Sequence, residues 1–274
     1  MPGAGPGMSL SRPVVFFLSD YGLADEFVGV VHGVLVRLVP DVAIVDLTHG
    51  IPPFDVRAGA ESLARAVPHL GPGVVLAIVD PGVGSTRRAV AMRAGDGRWF
   101  VAPDNGLVVA AAEACGGVAA ALALRKPPEV PATFDGRDVF APAAAVLAQG
   151  AELSSVGDEL STGTLVRLPP LESARWAEDG SEVLRAPVTW IDKFGNVQLG
   201  APARDGPPPA ARDVTVRVAG KSLGVRRVHA FSELGDGELG LLADANGRLA
   251  IVVREGSAAT ATQLSAGTEV ELVW

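Results

Sequence analysis

VVLAIVD, residues 74–80, is six apolar positions without polar alternation, closed by an acid. A run this short and this rich in β-branched residues predicts a strand covered on both faces, because a half-exposed strand would alternate. The same shape precedes it twice, as VVFFLSD ending at Asp20 and VAIVD ending at Asp46. Between the first two, ADEFVGVVHGVLVRLVP places Phe27, Val31, Val34, Leu35 and Leu38 on one helical face and stops at Pro40. Before the third, DVRAGAESLARAVPHL is again helical in period and stops near Pro68. Strand, helix, strand, helix, strand predicts a parallel α/β sheet. Its strands share one carboxyl edge, where ligands bind in such sheets, so Asp20, Asp46 and Asp80 are site candidates by position alone.

After residue 168 the texture changes. LPPLESARWAEDGSEV reads as a polar linker, and the remainder of the chain alternates between turns: VTVRVAGKSLGVRRV, GELGLLADANGRLAIVV and GTEVELVW. Short alternating runs with Asn-Gly and Asp-Gly turns predict a small antiparallel sandwich or barrel. The boundary is placed near residue 175, giving an α/β domain at 13–174 and a smaller β domain at 175–274. The start, MPGAGPGMSLSRP, lacks the apolar stretch of a signal peptide and reads as a disordered leader over 1–12, with Met8 a second candidate start.

A formal net charge of −8 argues against a nucleic-acid partner, since phosphate binding needs a clustered basic surface, and it would not repel a small cation. The lone Cys115 excludes an internal disulfide. The histidines, His32, His49, His69 and His229, are scattered without metal-ligand spacing, so no metal is expected. LVVAAAEACGGVAAALAL, interrupted by Glu113, predicts a buried helix and a strand rather than a membrane span. A cytoplasmic protein with no membrane partner is the expectation.

Several motifs have a bland reading beside a chemical one. DPGVGSTRR (80–88) has Arg87 where a dinucleotide loop carries its third glycine, and it lacks the Gly-Lys-Ser/Thr of a P-loop. Asp80 would also repel a phosphate. That leaves a turn closed by an Asp80–Arg87 pair, or a catalytic carboxylate with its own arginine. GKSLG (220–224) has nucleophile-elbow spacing but lies between two alternating strands, as a hairpin would, not between strand and helix. Asp135 and Asp138 in FDGRDVF could simply cap the helix that comes next, and IDKFGNVQLG and APDNGL could be ordinary turns.

Six stretches nevertheless occur in one order: FLSDYG, VDLTHGIPPFDV, AIVDPGVGSTRR, APDNGL, TFDGRDVFAPAAA and IDKFGNVQ. Together they resemble the S-adenosylmethionine (SAM) hydroxide adenosyltransferase family, relatives of the fluorinating and chlorinating enzymes, from about Val14 to Ser257. The resemblance implies an α/β domain followed by a β domain, and a homotrimer with active sites between subunits. It implies a reaction in which water or hydroxide displaces L-methionine from C5′ of SAM to give adenosine, with SAM as substrate and no cofactor. Asp20 would then bind the ribose hydroxyls, and Phe54, Phe134, Phe194 and Phe231 would wall the adenosine. Asn196 would read the adenine edge and Asp192 hold the methionine ammonium. Asp80 and Arg87 fall in the set that handles the attacking water, with Arg87 keeping Asp80 ionised and oriented. A carboxylate there would repel a halide, which disfavours a halogenase.

Three positions depart from the family pattern. The histidine expected in the third catalytic position is Asp135; a serine expected near the methionine carboxylate is Ala245, with Asn246 beside it as a substitute; and an aromatic of the halogenating relatives is Gln198. Two nearby carboxylates raise one pKa, which suits a general base. The alternative is a SAM- or adenosine-binding protein whose chemistry is impaired at Asp135.

Overall fold

A computed structural model describes residues 12–129, 131–151 and 155–274; the predicted leader, apart from Arg12, lies outside the described residues. The chain divides after Leu168 into two compact units.

The first unit carries β1 (Val14–Ser19), α1 (Phe27–Leu38), β2 (Ala43–Thr48), α2 (Val56–Ala66), β3 (Val74–Ile78) and β4 (Ala89–Ala94), then β5 (Trp99–Pro103), α3 (Val109–Ala114), β6 (Val118–Leu124), α4 (Ala141–Ala148) and β7 (Gly157–Leu160). These make one seven-stranded sheet in the order β2-β1-β3-β5-β4-β6-β7. β2, β1, β3 and β5 run parallel, and β4, β6 and β7 add an antiparallel half. α1 packs on α4, and α2 on α3. Every residue of β3 is buried, as its unbroken apolar run predicts. From β1 the chain passes to β2 on one side, then returns to β3 on the other. That reversal of strand order opens a crevice beyond the carboxyl ends of β1 and β3, the place where open α/β sheets take ligands.

Some expectations need correction. β2 is an edge strand with its middle exposed, Val45 being 42% accessible, so its apolar run is not covered on both faces. Asp46 lies inside β2 rather than at its end. On α1 the buried residues are Val28, Val31, Val34 and Leu35, whereas Phe27 and Leu38 at its two ends are exposed. The predicted polar linker is largely a hairpin: its Asp179-Gly180 pair turns one strand into the next, both residues taking the left-handed backbone that such a turn requires.

The second unit comprises β8 (Ala174–Glu178), β9 (Ser181–Ile191), β10 (Val197–Pro202), β11 (Asp213–Val218), β12 (Lys221–Arg227), β13 (Leu239–Ala243), β14 (Arg248–Val253), α5 (Ala258–Thr262) and β15 (Glu269–Val273). The order β10-β14-β13-β12-β11-β15-β9 closes on itself through a β9–β10 pairing, and β8 hangs on β9 outside the ring. The unit is therefore a closed barrel, a form that removes exposed sheet edges. Leu184, Ala186 and Val188 of β9 alternate inward to a core shared with Leu199, Val216, Leu241 and Ile251. Ser222 of GKSLG sits in β12, just past the Ala219-Gly220 turn, so the elbow spacing is accidental. Among the described residues no helix is long and apolar enough to cross a membrane.

Candidate active site

The loop after β3 answers the question its sequence leaves open. The Gly82 N–H, which a phosphate cradle would need, donates to Asp80 Oδ1 at 3.2 Å. Ser85 closes the rest of the turn, its hydroxyl donating to the Gly82 carbonyl at 2.7 Å while accepting the Arg87 N–H at 3.1 Å. Arg87 then folds back on Asp80, Nε to Oδ1 at 3.0 Å and a terminal nitrogen to Oδ2. The same nitrogen reaches Asp135 Oδ2 at 2.8 Å, so one guanidinium joins two carboxylates. All three side chains are at least nine-tenths buried. Burial pushes the Asp80 carboxyl above the usual aspartate range; Arg87 and the Gly82 N–H pull it back, and the charge of Asp135 adds to the rise. Burial thus outweighs Arg87, which orients Asp80 and lowers its pKa without returning it to the ordinary range.

Asp135 immediately precedes a single π turn, Gly136–Phe140, that runs into α4. Its carboxylate caps nothing; Oδ1 accepts from Lys126 Nζ at 2.5 Å, beyond the end of β6. Wide turns of this kind concentrate at functional sites, where they re-aim side chains. Asp138 is spent on its neighbour Arg137, at 2.7 Å. Gly136 has no room for a side chain, since a Cβ there would lie 2.2 Å from the Tyr21 hydroxyl. Tyr21, Phe27 and Phe134 pack edge to face or tilted with ring centroids 5.4–6.0 Å apart. Burial first, then the carboxylates of Asp20, Asp80 and Asp135, raises the Tyr21 phenol well above its ordinary value, so it remains a hydroxyl donor.

Asp20 ends the crevice on the β1 side. Its Oδ2 accepts the Phe54 N–H at 2.9 Å, which leaves lone pairs of the carboxylate open to a ligand. Phe54 holds a left-handed backbone at φ +66° and is 70% exposed, an apolar ring kept out in solvent at a strained position. Asp20, Phe54, Asp80, Phe134 and Asp135 line one cleft of about 690 Å³, which Tyr21 and Phe27 also wall. APDNGL supports it from behind: Asn105 Nδ2 donates to the Val79 carbonyl at 2.8 Å, and buried Asp104 holds Arg88. Asp46 is not on this cleft; it meets His32 and His49, which the sequence leaves far apart.

In the second unit, Asp192, Phe194, Asn196 and Phe231 line a pocket of about 800 Å³, between the turn of β9–β10 and the segment after β14. Asp192 Oδ1 accepts the N–H groups of Phe194 and Asn196, and Oδ2 accepts Asn196 Nδ2 at 2.8 Å. One lone-pair direction of the carboxylate is left for a ligand, as are the Asn196 amide oxygen and its second N–H. Gly195, at φ +83°, lies so close to Ser257 that a Cβ would sit 2.1 Å from its hydroxyl. Asn246 is not among the lining residues; it stands in the β13–β14 turn, its N–H on Asp244.

Known proteins match this chain along most of its length. The SAM hydroxide adenosyltransferase N-terminal domain matches residues 15–157 and its C-terminal domain residues 186–271. The chain belongs to this family. It is 46% identical to an (R)-S-adenosyl-L-methionine hydrolase of Salinispora tropica over 95% of this chain and 97% of that one. A Thermus thermophilus protein of the same name is 41% identical, over 96% of this chain and all of that one. A fluorinase of Actinopolyspora mzabensis is 32% identical over 69% and 71% of the two chains. Among solved structures, a conserved protein of Thermotoga maritima superposes with a TM-score of 0.84 at 34% identity, over 94% of this chain and 99% of that one. Sequence reasoning missed two neighbours of the acids. Tyr21 lies inside FLSDYG and was legible; Lys126, in a featureless Arg-Lys-Pro-Pro run, carries no local signal.

Proposed function

We propose that the protein hydrolyses SAM to adenosine and L-methionine, with Asp80 receiving the proton of the attacking water. Water oxygen bonds to C5′ as the C5′–S bond breaks, its electron pair going to sulfur, and the released proton passes to Asp80. The sulfonium is already a good leaving group, so the chain mainly has to position and desolvate the water. The observation that carries this is the buried Asp80–Arg87–Asp135 set, whose two carboxylates line a cleft large enough for a nucleoside while Arg87 holds them from behind. Arg87 aims both carboxylates, and Lys126 supplies a second positive charge to Asp135, the acid standing where the family pattern has a histidine. Asp20 takes the ribose hydroxyls, Phe54 and Phe134 flank the adenosine, and Asp192, Phe194, Asn196 and Phe231 contribute the adenine and methionine contacts from the second unit. The relatives' name points to the (R) epimer at sulfur as substrate. We further take the enzyme to be a cytoplasmic homotrimer with active sites between subunits, requiring no cofactor and binding no nucleic acid or membrane.

Purified protein incubated with each SAM epimer, with and without chloride, should give adenosine at a halide-independent rate. Asp80→Asn should lower kcat about 100- to 10,000-fold, the span a positioned base contributes. A 5′-halogenated nucleoside, or an unimpaired Asp80→Asn variant, would sink the proposal.

A further inference from the structure

We propose that His32, Asp46 and His49 form a divalent-cation site of the zinc type, separate from the cleft. The three come from α1, β2 and the loop after β2, and one ligand atom from each lies within 4.8 Å of the others. Asp46 Oδ1 is 2.9 Å from His32 Nε2 and 3.1 Å from His49 Nε2. Two nitrogens and an oxygen bound tetrahedrally at roughly 2.0–2.1 Å sit about 3.3 Å apart, so the two Asp46 distances need only a few tenths of an ångström of opening.

The orientation of His49 separates a ligand set from an ordinary hydrogen-bonded cluster. Its side chain is 4% exposed, and its Nε2 is buried without a hydrogen-bond partner although Asp46 is 3.1 Å away. The short distance therefore lies off the axis of the ring nitrogen. A ligand of an ion behaves in this way, pointing at a shared third position rather than at its neighbour; His32 Nε2 hydrogen-bonds Asp46 Oδ1 at 2.9 Å and would turn from it to the ion. On the far side of the ring, His49 Nδ1 is 2.7 Å from Ser19 Oγ, which also accepts the Tyr21 N–H at 3.3 Å. A proton on Nδ1 donated to that oxygen leaves Nε2 as a lone pair, the state and outer-shell bond that metal-binding imidazoles use. Phe17, fully buried, packs edge-on to both rings and fixes their planes. Access is open from solvent, because His32 and Asp46 are 31% and 41% exposed. Two imidazoles and one carboxylate suit zinc better than the hard, oxygen-seeking calcium or magnesium. None of the three residues lines the cleft, so the ion's role is to tie α1, β2 and, through Ser19, the end of β1.

The test uses untagged protein, stripped with a chelator, dialysed and titrated with Zn²⁺ alone by calorimetry. One zinc per chain is expected, with affinity at least about tenfold weaker in His32→Ala and in Asp46→Asn, and unchanged in His69→Ala, a histidine outside the set. Added zinc should raise the thermal midpoint of the wild type and of His69→Ala but not of the two site variants. Both site substitutions are at partly exposed positions, and the midpoint in chelator verifies that each variant is folded. No zinc uptake, or uptake equally tight in His32→Ala and Asp46→Asn, overturns the proposal.

Discussion

Arg87 makes the site at the residue scale, because its planar guanidinium grips Asp80 through two nitrogens and still reaches Asp135, a fixed fork that a lysine's point charge lacks. The consequence is a pH dependence with a definite sign. Asp80 accepts the water's proton only when deprotonated, and burial with the charge of Asp135 raises its pKa. Activity should therefore fall on acidification with a midpoint above about 4, the ordinary aspartate value. Asp135→Asn removes one of the raising charges, so the midpoint should move to lower pH, whatever happens to the maximal rate. A kcat profile measured on both proteins decides it, and a midpoint that stays put or rises would show that the two carboxylates are not coupled. Asp80, Arg87 and Asp135 were all legible as motif letters. Their relation to Lys126 was not, since β6 and the π turn meet only in the folded sheet.

At the scale of elements, β1 and β3 could be read because burial on both faces leaves an unbroken apolar run in the sequence. Of the antiparallel half only β6 could, as the strand after the Ala-rich helix α3; β4 is alanine-rich and β7 is Gly-Asp-Glu-Leu, patterns that are strands only because neighbouring strands pair with them. The β8–β9 hairpin was hidden by its exposed, charged β8, although its Asp-Gly turn signal was present. The π turn is the element on which the cleft depends, and Gly136 tests it. Gly136→Ala places a methyl 2.2 Å from the Tyr21 hydroxyl but 3.3 Å from its ring carbon. The expected cost is about 1–3 kcal/mol of stability, with a raised KM as the aromatic wall shifts. Removing the hydroxyl in Gly136→Ala/Tyr21→Phe should recover most of that stability in urea unfolding. An additive double variant would mean that the methyl strains something other than this contact.

For the whole molecule, the proposed chemistry needs residues from both units: Asp80 and Arg87 from the α/β unit, Asp192 and Asn196 from the barrel. If a complete site joins the α/β unit of one subunit to the barrel of another, two inactive variants can repair each other. Asp80→Asn spoils only the first unit and Asn196→Ala only the second. Unfolded together in equal amounts and refolded into mixed assemblies, they would give a site with both native halves wherever an intact α/β unit meets an intact barrel. Random assembly makes that about half of a half, so roughly a quarter of wild-type activity should return. Were each site built within one chain, every site would keep one lesion, and the refolded mixture would stay at the level of the single variants. Sedimentation of the refolded mixture, run beside the assay, separates that outcome from a simple failure to assemble.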